Sequence, residues 1–316
     1  MEHLDPSTVR VAVAVGGTSH EREISLVSGA QVSAALTSAG FQNECIDTGD
    51  APAALRRLCE GAFDVVFIAL HGKNGEDGAF QGVCEILGIP YTGSGVLASA
   101  LAMDKGRSKV VYNDSGIPTA RSVMLRRGMP YDVGDVVAVV GEKCVVKPIG
   151  DGSSVGMSIV HDPSQLPEAL HTAFGTDEDV LVEAFVDGVE VTVAVVGNND
   201  PQALPVIEIV PHAEFYDFDV KYSAGGADHI IPARLDPDVY AKVQEYAVAA
   251  HRALGCRGMS RSDFIVDAER GPVILETNTI PGMTPTSLLP DAARHAGYDF
   301  PTLCTRLIEL ALEERP

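Results

Sequence analysis

The chain has 316 residues, of which 46% are hydrophobic and 21% charged, with a formal net charge of −21. This is the balance of a folded chain with room for two or three packed units, not of a disordered one. The acidity argues against non-specific binding to nucleic acid or to an anionic membrane, both of which select a basic face, and it suits a small substrate gripped by a few local cations. In chain order, residues 10–17 (RVAVAVGG) read as a strand ending in a glycine pair, and 21–40 as a helix with Ile24, Val27, Val32 and Leu36 near helical spacing. A short strand at NECID, a helix at APAALRRLCEG with Pro52 in its first turn, a buried strand at DVVFIAL and a helix at GAFQGVCEILG follow. Strand alternating with helix is the pattern of a parallel-sheet α/β unit.

After PYTGSG the texture changes. Residues 96–116 read as two short helices, RSVML, KCVVKP and GMSIV as strands, and SQLPEALHTAF as a helix. DVLVEAFVDGVEVTVAVVG reads as two strands around Asp187-Gly188, a hairpin-type turn signal, and LPVIEIV as another strand. A long, aromatic and glycine-bearing loop follows at 211–235, of the kind that is usually functional or disordered. Residues 236–255 form an amphipathic helix pattern with Asp236 as cap, then come two strands at 260–278 and two closing helices. The organisation predicts an N-terminal α/β unit (1–95), a small central α+β unit (96–186) and a larger C-terminal α+β unit (187–316). Cys45, Cys59, Cys84, Cys144, Cys256 and Cys304 show neither C-x-x-C pairing nor zinc-like spacing, so they read as free thiols of a reducing compartment. The first residues lack the features of a signal peptide and no apolar run is long enough to span a bilayer, so the expectation is a cytoplasmic protein.

Two stretches carry chemistry. In CVVKPIGDGSSVGMSIV a strand delivers Lys147 to a loop with Gly150, Gly152, Ser153, Ser154 and Gly156. Glycines let backbone N–H groups approach an anion and a lysine supplies countercharge, which suits a hairpin flap over phosphates. The loop is neither a Walker loop nor a G-x-G-x-x-G site; taken alone it is equally a flexible β-turn with an exposed lysine. The second stretch is GMSRSDFIVD with VILETNTIPGMTPTSLLP. Glu276 and Asn278 share one face of a strand, and Asp263 joins them if the two strands are antiparallel neighbours. Two carboxylates and an amide oxygen are hard ligands suited to Mg²⁺. The plain alternative is a solvated sheet face compensated by Arg261.

These stretches, with GGTSHEREISLVSG, LHGKNGEDGAFQGVCEILGIPYTGSGVLASALAMDK, FYDFDVKY and GCRGMSRSDF, resemble the D-alanine–D-alanine ligase family of the ATP-grasp superfamily, in the family's order and over nearly the whole chain. The resemblance implies an ATP-grasp fold and the ATP-dependent joining of two D-alanines through an acyl phosphate, for peptidoglycan precursors. It implies that Lys105 and Lys147 meet the phosphates under Ser153 and Ser154, and that Glu183, Ala184, Phe185 and Val186 form the adenine hinge. Glu190 faces the ribose, Lys221 and Ile265 count among the nucleotide contacts, and Asp263, Glu276 and Asn278 hold two Mg²⁺ ions, for which Mn²⁺ can substitute. Ala184 stands where the family often has lysine.

On the same basis Glu21 meets the ammonium of the first D-alanine, with His71 nearby at a strand's carboxyl end. Ser287 and Leu288, at a helix entry, take the carboxylate of the second. Arg261 and the Gly282 N–H stabilise the oxyanion. Tyr222, on the long loop with Lys221, is linked by hydrogen bonds to Ser153 and Glu21, and the assembly is a homodimer. D-lactate or D-serine as second substrate, a ligase of a secondary pathway and a non-catalytic nucleotide-binding module are the competing readings, and Tyr222 favours D-alanine. A nicotinamide dehydrogenase is weaker, because GGTSHE lacks the dinucleotide glycine spacing.

Overall fold

Two strands of the first sheet are apolar runs, RVAVAV after its leading arginine and VVFI, and the other, QNECID, is polar and carries Glu44 and Asp47. The structure is a computed structural model that describes residues 4–150, 156–212, 226–284 and 286–313. β1 (Arg10–Val15), β2 (Gln42–Asp47) and β3 (Val65–Ile68) pair in parallel in the order β2-β1-β3. Every residue of β1 and β3 except Arg10 is buried, because helices cover a parallel sheet. The crossovers are α1 (Arg22–Ser38) and α2 (Ala51–Glu60); Asp50 caps α2 by accepting from the Ala53 N–H at 3.1 Å. α3 (Ala79–Leu87) follows β3.

α4 (Val96–Met103) and α5 (Lys105–Asp114) meet at Asp104, whose carboxylate caps α5 by accepting from the Arg107 N–H at 2.9 Å. The second sheet is antiparallel, with β4 (Ser122–Arg126), β5 (Cys144–Pro148), β6 (Ser158–Val160) and β7 (Asp179–Ala184) in the order β4-β7-β5-β6. α6 (Val133–Val140) and α7 (Leu166–Thr176) cover it. The sequence reading has no element at α6. Its valines favour strand locally, but Val136 and Val140, one helical turn apart, bury against the sheet and Asp132 caps the first turn.

The third sheet holds β8 (Val189–Val196), β9 (Gln202–Ala203), β10 (Ile207–Pro211), β11 (Ala227–Ile230), β12 (Met259–Asp267) and β13 (Gly271–Asn278). Its order is β11-β10-β8-β12-β13, with β9 on β8. α8 (Pro237–Ala253) packs Val243, Ala247 and Ala250 on it. α9 (Leu288–His295) and α10 (Phe300–Leu312) end the described chain, and α10 returns to the first sheet, where Leu303, Leu307 and Ile308 join the core of α1 and β3. Among the described residues no helix is long and apolar enough to cross a membrane. All six cysteines are free, and burial pushes the Cys256 and Cys304 thiols up to about 12.

Two features of the third sheet aim the site. β12 and β13 are antiparallel neighbours, with Asp263 opposite Glu276 and Arg261 opposite Asn278. The register slips between Asp263 and Phe264, so that Phe264 faces Ile274 and Leu275 is the extra residue of a bulge. Phe264 and Ile274 lie in the core under α8. Without the bulge Ile274 and Glu276, two apart, would share a face; with it, Ile274 stays in the core while Glu276 joins Asp263.

The second feature corrects an expectation. Asp187-Gly188 does not close a hairpin. β7 pairs with β4 and β5, whereas β8 pairs with β9, β10 and β12, so the chain crosses from one sheet to the next. A glycine is required there because a Cβ on Gly188 would lie 2.2 Å from the Val266 carbonyl oxygen. Gly188→Ala should therefore cost roughly 2 kcal/mol or more by displacing the crossing segment. A thermal midpoint equal to that of the parent chain would show that the crossing tolerates a side chain.

Candidate active site

The floor of the site is one face of β8, β12 and β13. Because alternate residues share a face, Glu190 and Thr192 of β8 lie beside Ile265 and Asp263 of β12, with Glu276 and Asn278 beyond them on β13. Asp263 is only 8% exposed, so this is not a solvated sheet face. Its carboxylate accepts from Arg261 Nε at 2.9 Å and a second guanidinium N–H at 2.8 Å, from Thr192 Oγ1 at 2.5 Å and from Asn278 Nδ2 at 3.3 Å. Glu276 Oε2 is 3.4 Å from Lys105 Nζ, which the first turn of α5 presents to it. The opposite face of the strands is fixed: Tyr112 of α5 donates to Thr277 Oγ1 at 2.8 Å, and Thr277 is 2.8 Å from Ser262 Oγ. The structure thus brings Asp263, Glu276 and Asn278 together, with Arg261 and Lys105 against the two carboxylates.

Lys147 is not the exposed lysine of a loose turn. It is buried at the end of β5 and ion-paired to Glu183 of β7. The other oxygen of Glu183 lies 2.8 Å from Lys109 Nζ of α5. Burial raises the Glu183 pKa, but the charges of Lys147 and Lys109 outweigh it and hold the carboxyl below its ordinary range. The segment after Glu183 crosses between the second and third sheets. The Ala184 N–H donates to the Arg121 carbonyl at 2.8 Å and the Phe185 N–H to the Lys143 carbonyl at 3.2 Å, while Lys143 Nζ stands 3.5 Å over the Phe185 ring. Ala184 and Val186 are buried.

A third group comes from the first sheet. Glu21 precedes α1 and is 4% exposed; Gly72, at φ +70°, lets its carboxylate approach, since a Cβ there would lie 2.7 Å from Glu21 Oε2. His71 lies beyond the end of β3, with Nδ1 3.6 Å from Glu76 Oε1 and Nε2 3.3 Å from Ser28 Oγ. Burial lowers the His71 pKa, but the Glu76 carboxylate, with help from Glu21, outweighs it and leaves the imidazole above its ordinary value. Glu76 also lines a narrow cleft of about 20 Å³ with Lys105, Glu276 and Asn278, which joins this group to the sheet floor. Ser287 is the N-cap of α9, and its Oγ accepts from the Thr284 N–H at 3.0 Å. Gly282 stays close beneath it, because a Cβ there would lie 2.8 Å from Ser287 Oγ.

Comparison with known proteins identifies the family. A family model described as D-ala D-ala ligase C-terminus matches residues 111–309, and one described as D-ala D-ala ligase N-terminus matches residues 49–94. The D-alanine–D-alanine ligase of Pelotomaculum thermopropionicum is 46% identical over 312 residues, which are 97% of this chain and 98% of that protein. The chain belongs to the D-alanine–D-alanine ligase family. Its fold is the ATP-grasp fold of that family. The D-alanine–D-alanine ligase of Bacillus anthracis complexed with ATP superposes with a TM-score of 0.84 at 32% identity, covering 96% of this chain and 98% of the other. The VanG D-Ala:D-Ser ligase of Enterococcus faecalis gives 0.83 at 31% identity, covering 96% and 99%.

Of the residues that the D-alanine–D-alanine ligase resemblance singles out, Ser153, Ser154, Lys221 and Tyr222 lie outside the described residues. Three groups escape the sequence reading: Glu76, Thr192 and Lys109. Glu76 had a signal, a carboxylate in the glycine-rich turn that follows His71. Thr192 needed the β8–β12 register, and Lys109 is signalled only by its position one helical turn after Lys105. Glu76→Gln should lower the His71 pKa, since it removes the carboxylate that does most to raise it. NMR titration of the imidazole would check this, and an unchanged value would mean that Glu76 does not charge His71. The sign for stability follows. The folded-state pKa is raised, so the pair's contribution is full below the unfolded value of about 6.5 and is lost as pH rises through the folded value.

Proposed function

We propose that this chain is the ATP-dependent ligase that joins two D-alanine molecules into D-alanyl-D-alanine for peptidoglycan precursors. The observation that carries the reading is the convergence of Asp263, Glu276 and Asn278 on one sheet face, in a chain of the D-alanine–D-alanine ligase family. This donor set fits a hard divalent cation. Among the described residues no group of three or more His, Cys, Asp and Glu is arranged to hold a metal, and two carboxylates with one amide leave positions for water and phosphate oxygens. Asp263, Glu276 and Asn278 would hold two Mg²⁺, or Mn²⁺ in its place, and the bound ions would offset the charge of phosphate transfer.

The chain's own residues divide the remaining work. Glu21 binds the ammonium of the first D-alanine, with His71 beside it, and orients its carboxylate for attack on the γ-phosphate. Lys105 and Lys147 exchange their carboxylate partners for phosphate oxygens under Ser153 and Ser154. The hinge from Glu183 through Ala184 and Phe185 to Val186, with Ile265 and Lys221, holds the base, and Glu190 holds the ribose. The second D-alanine is placed by its carboxylate at Ser287 and Leu288, so that its amine meets the acyl phosphate. Arg261, turned from Asp263, and the Gly282 N–H then carry the oxyanion. Tyr222, Ser153 and Glu21 close the site and exclude the water that would hydrolyse the acyl phosphate.

The working units are residues 1–95, 96–186 and 187–316, the compartment is the cytoplasm, where ATP is supplied and free thiols persist, and the assembly is a homodimer. Phosphate release from ATP should require both D-alanine and Mg²⁺, should stop with chelator, and should yield D-alanyl-D-alanine by mass. ATP turnover at the same rate without amino acid would sink the ligase reading, and preferential incorporation of D-serine or D-lactate would redirect the second-substrate assignment. Tyr222→Phe should lower kcat roughly tenfold, about 1.4 kcal/mol, with little change in the KM for ATP. Equal kinetics would remove Tyr222 from the closing network.

A further inference from the structure

Glu183 has two cationic partners with unequal freedom. Lys147 stands at the end of β5, where the glycine-rich loop begins, and among the described residues its polar partner is Glu183 alone. Lys109 is held from three directions. Its Nζ donates to Thr119 Oγ1 at 2.6 Å and to the Ala120 carbonyl at 3.2 Å, and it pairs with Glu183 at 2.8 Å. The side chains of Lys109 and Glu183 are each 4% exposed, against 10% for Lys147. Moving Lys147 to a phosphate would therefore leave Glu183 with Lys109 as its remaining cation, and a buried carboxylate without any partner is strongly disfavoured.

We propose that Lys109 is a positioning residue for the nucleotide base, holding the Glu183 carboxylate in place as an acceptor for the amino group of adenine while Lys147 turns to the phosphates. The inference rests on the hinge reading of Glu183 and adds to it a residue that contacts neither substrate nor metal. It also predicts specificity. A fixed, ionised carboxylate accepts from the exocyclic amino group of ATP and repels the carbonyl that ITP carries at the same position, so Lys109 sharpens discrimination between the two.

The test compares Lys109→Met, Glu183→Gln and the double variant in full-length protein, with ATP and ITP as nucleotides. Lys109→Met should raise the KM for ATP roughly tenfold with a much smaller change in kcat and none in the KM for D-alanine, and the ATP-over-ITP preference should shrink by a similar factor. Lys109→Arg, which keeps the charge, should recover part of the preference. Because Lys109 acts through Glu183, the double variant should match Glu183→Gln, not add to it. If Lys109→Met fails to fold, the double variant, which removes both charges, supplies the same comparison. Lys109→Met with a full preference for ATP, or a double variant whose defects add, would overturn the role of Lys109. Glu183→Gln with unchanged KM for ATP and unchanged preference would overturn the base contact itself, and the two failures are distinct.

Discussion

α5 ties the two antiparallel sheets together by charge. Its Lys105 reaches Glu276 on β13 of the third sheet, and its Lys109, one helical turn on, reaches Glu183 on β7 of the second. Both carboxylates are largely withdrawn from water, and a buried charge that loses its partner costs about 3–5 kcal/mol. The helix is thus pinned at both sheets, and Asp104 fixes where its first turn begins. Tyr112 adds a third tie, to Thr277 beneath the metal-type face. These contacts bring residues more than a hundred positions apart in the chain to one cleft between the sheets.

Strand register does the rest of the placement. β8 offers Val191, Val193 and Val195 to α8 and Glu190 and Thr192 to the cleft, by simple alternation. β13 has a harder task, since Ile274 must fill the core while Glu276, two residues on, faces the cleft. The bulge at Leu275 reconciles the two demands. A bulge re-aims a side chain at the expense of a regular ladder, and here it separates the part of the hairpin packed in the core from the part that faces the cleft.

Much of this was legible in the sequence because local chemistry and global fold agree. The parallel β2-β1-β3 sheet follows from short strand runs, apolar in β1 and β3, alternating with helices, and the meeting of Asp263 with Glu276 and Asn278 follows from two strands and a short turn. The misreadings have specific causes. Asp187-Gly188 has the chemistry of a hairpin turn, but glycine serves there to let the chain pass the Val266 carbonyl between sheets. α6 is valine-rich, and only its burial on the second sheet makes it helical. The bulge at Leu275, the partnership of Thr192 with Asp263 and that of Lys109 with Glu183 depend on register or on contacts across elements. No local pattern encodes them.

The cations of the site differ in how they are held, and the difference orders the events of the proposed reaction. Arg261, Lys105 and Lys147 each sit against a carboxylate. Under the proposed function Asp263 and Glu276 would hold divalent ions, and Lys105 and Lys147 would meet the triphosphate. Each incoming charge then displaces an existing ion pair, so no buried carboxylate is left bare at any stage. Arg261 is paired with Asp263, so in the proposed reaction it would turn to the oxyanion once Asp263 had another cation as partner. An acidic chain could run this proposed exchange without a standing excess of positive charge in the cleft, because Lys105, Lys147 and Arg261 are each held on a carboxylate.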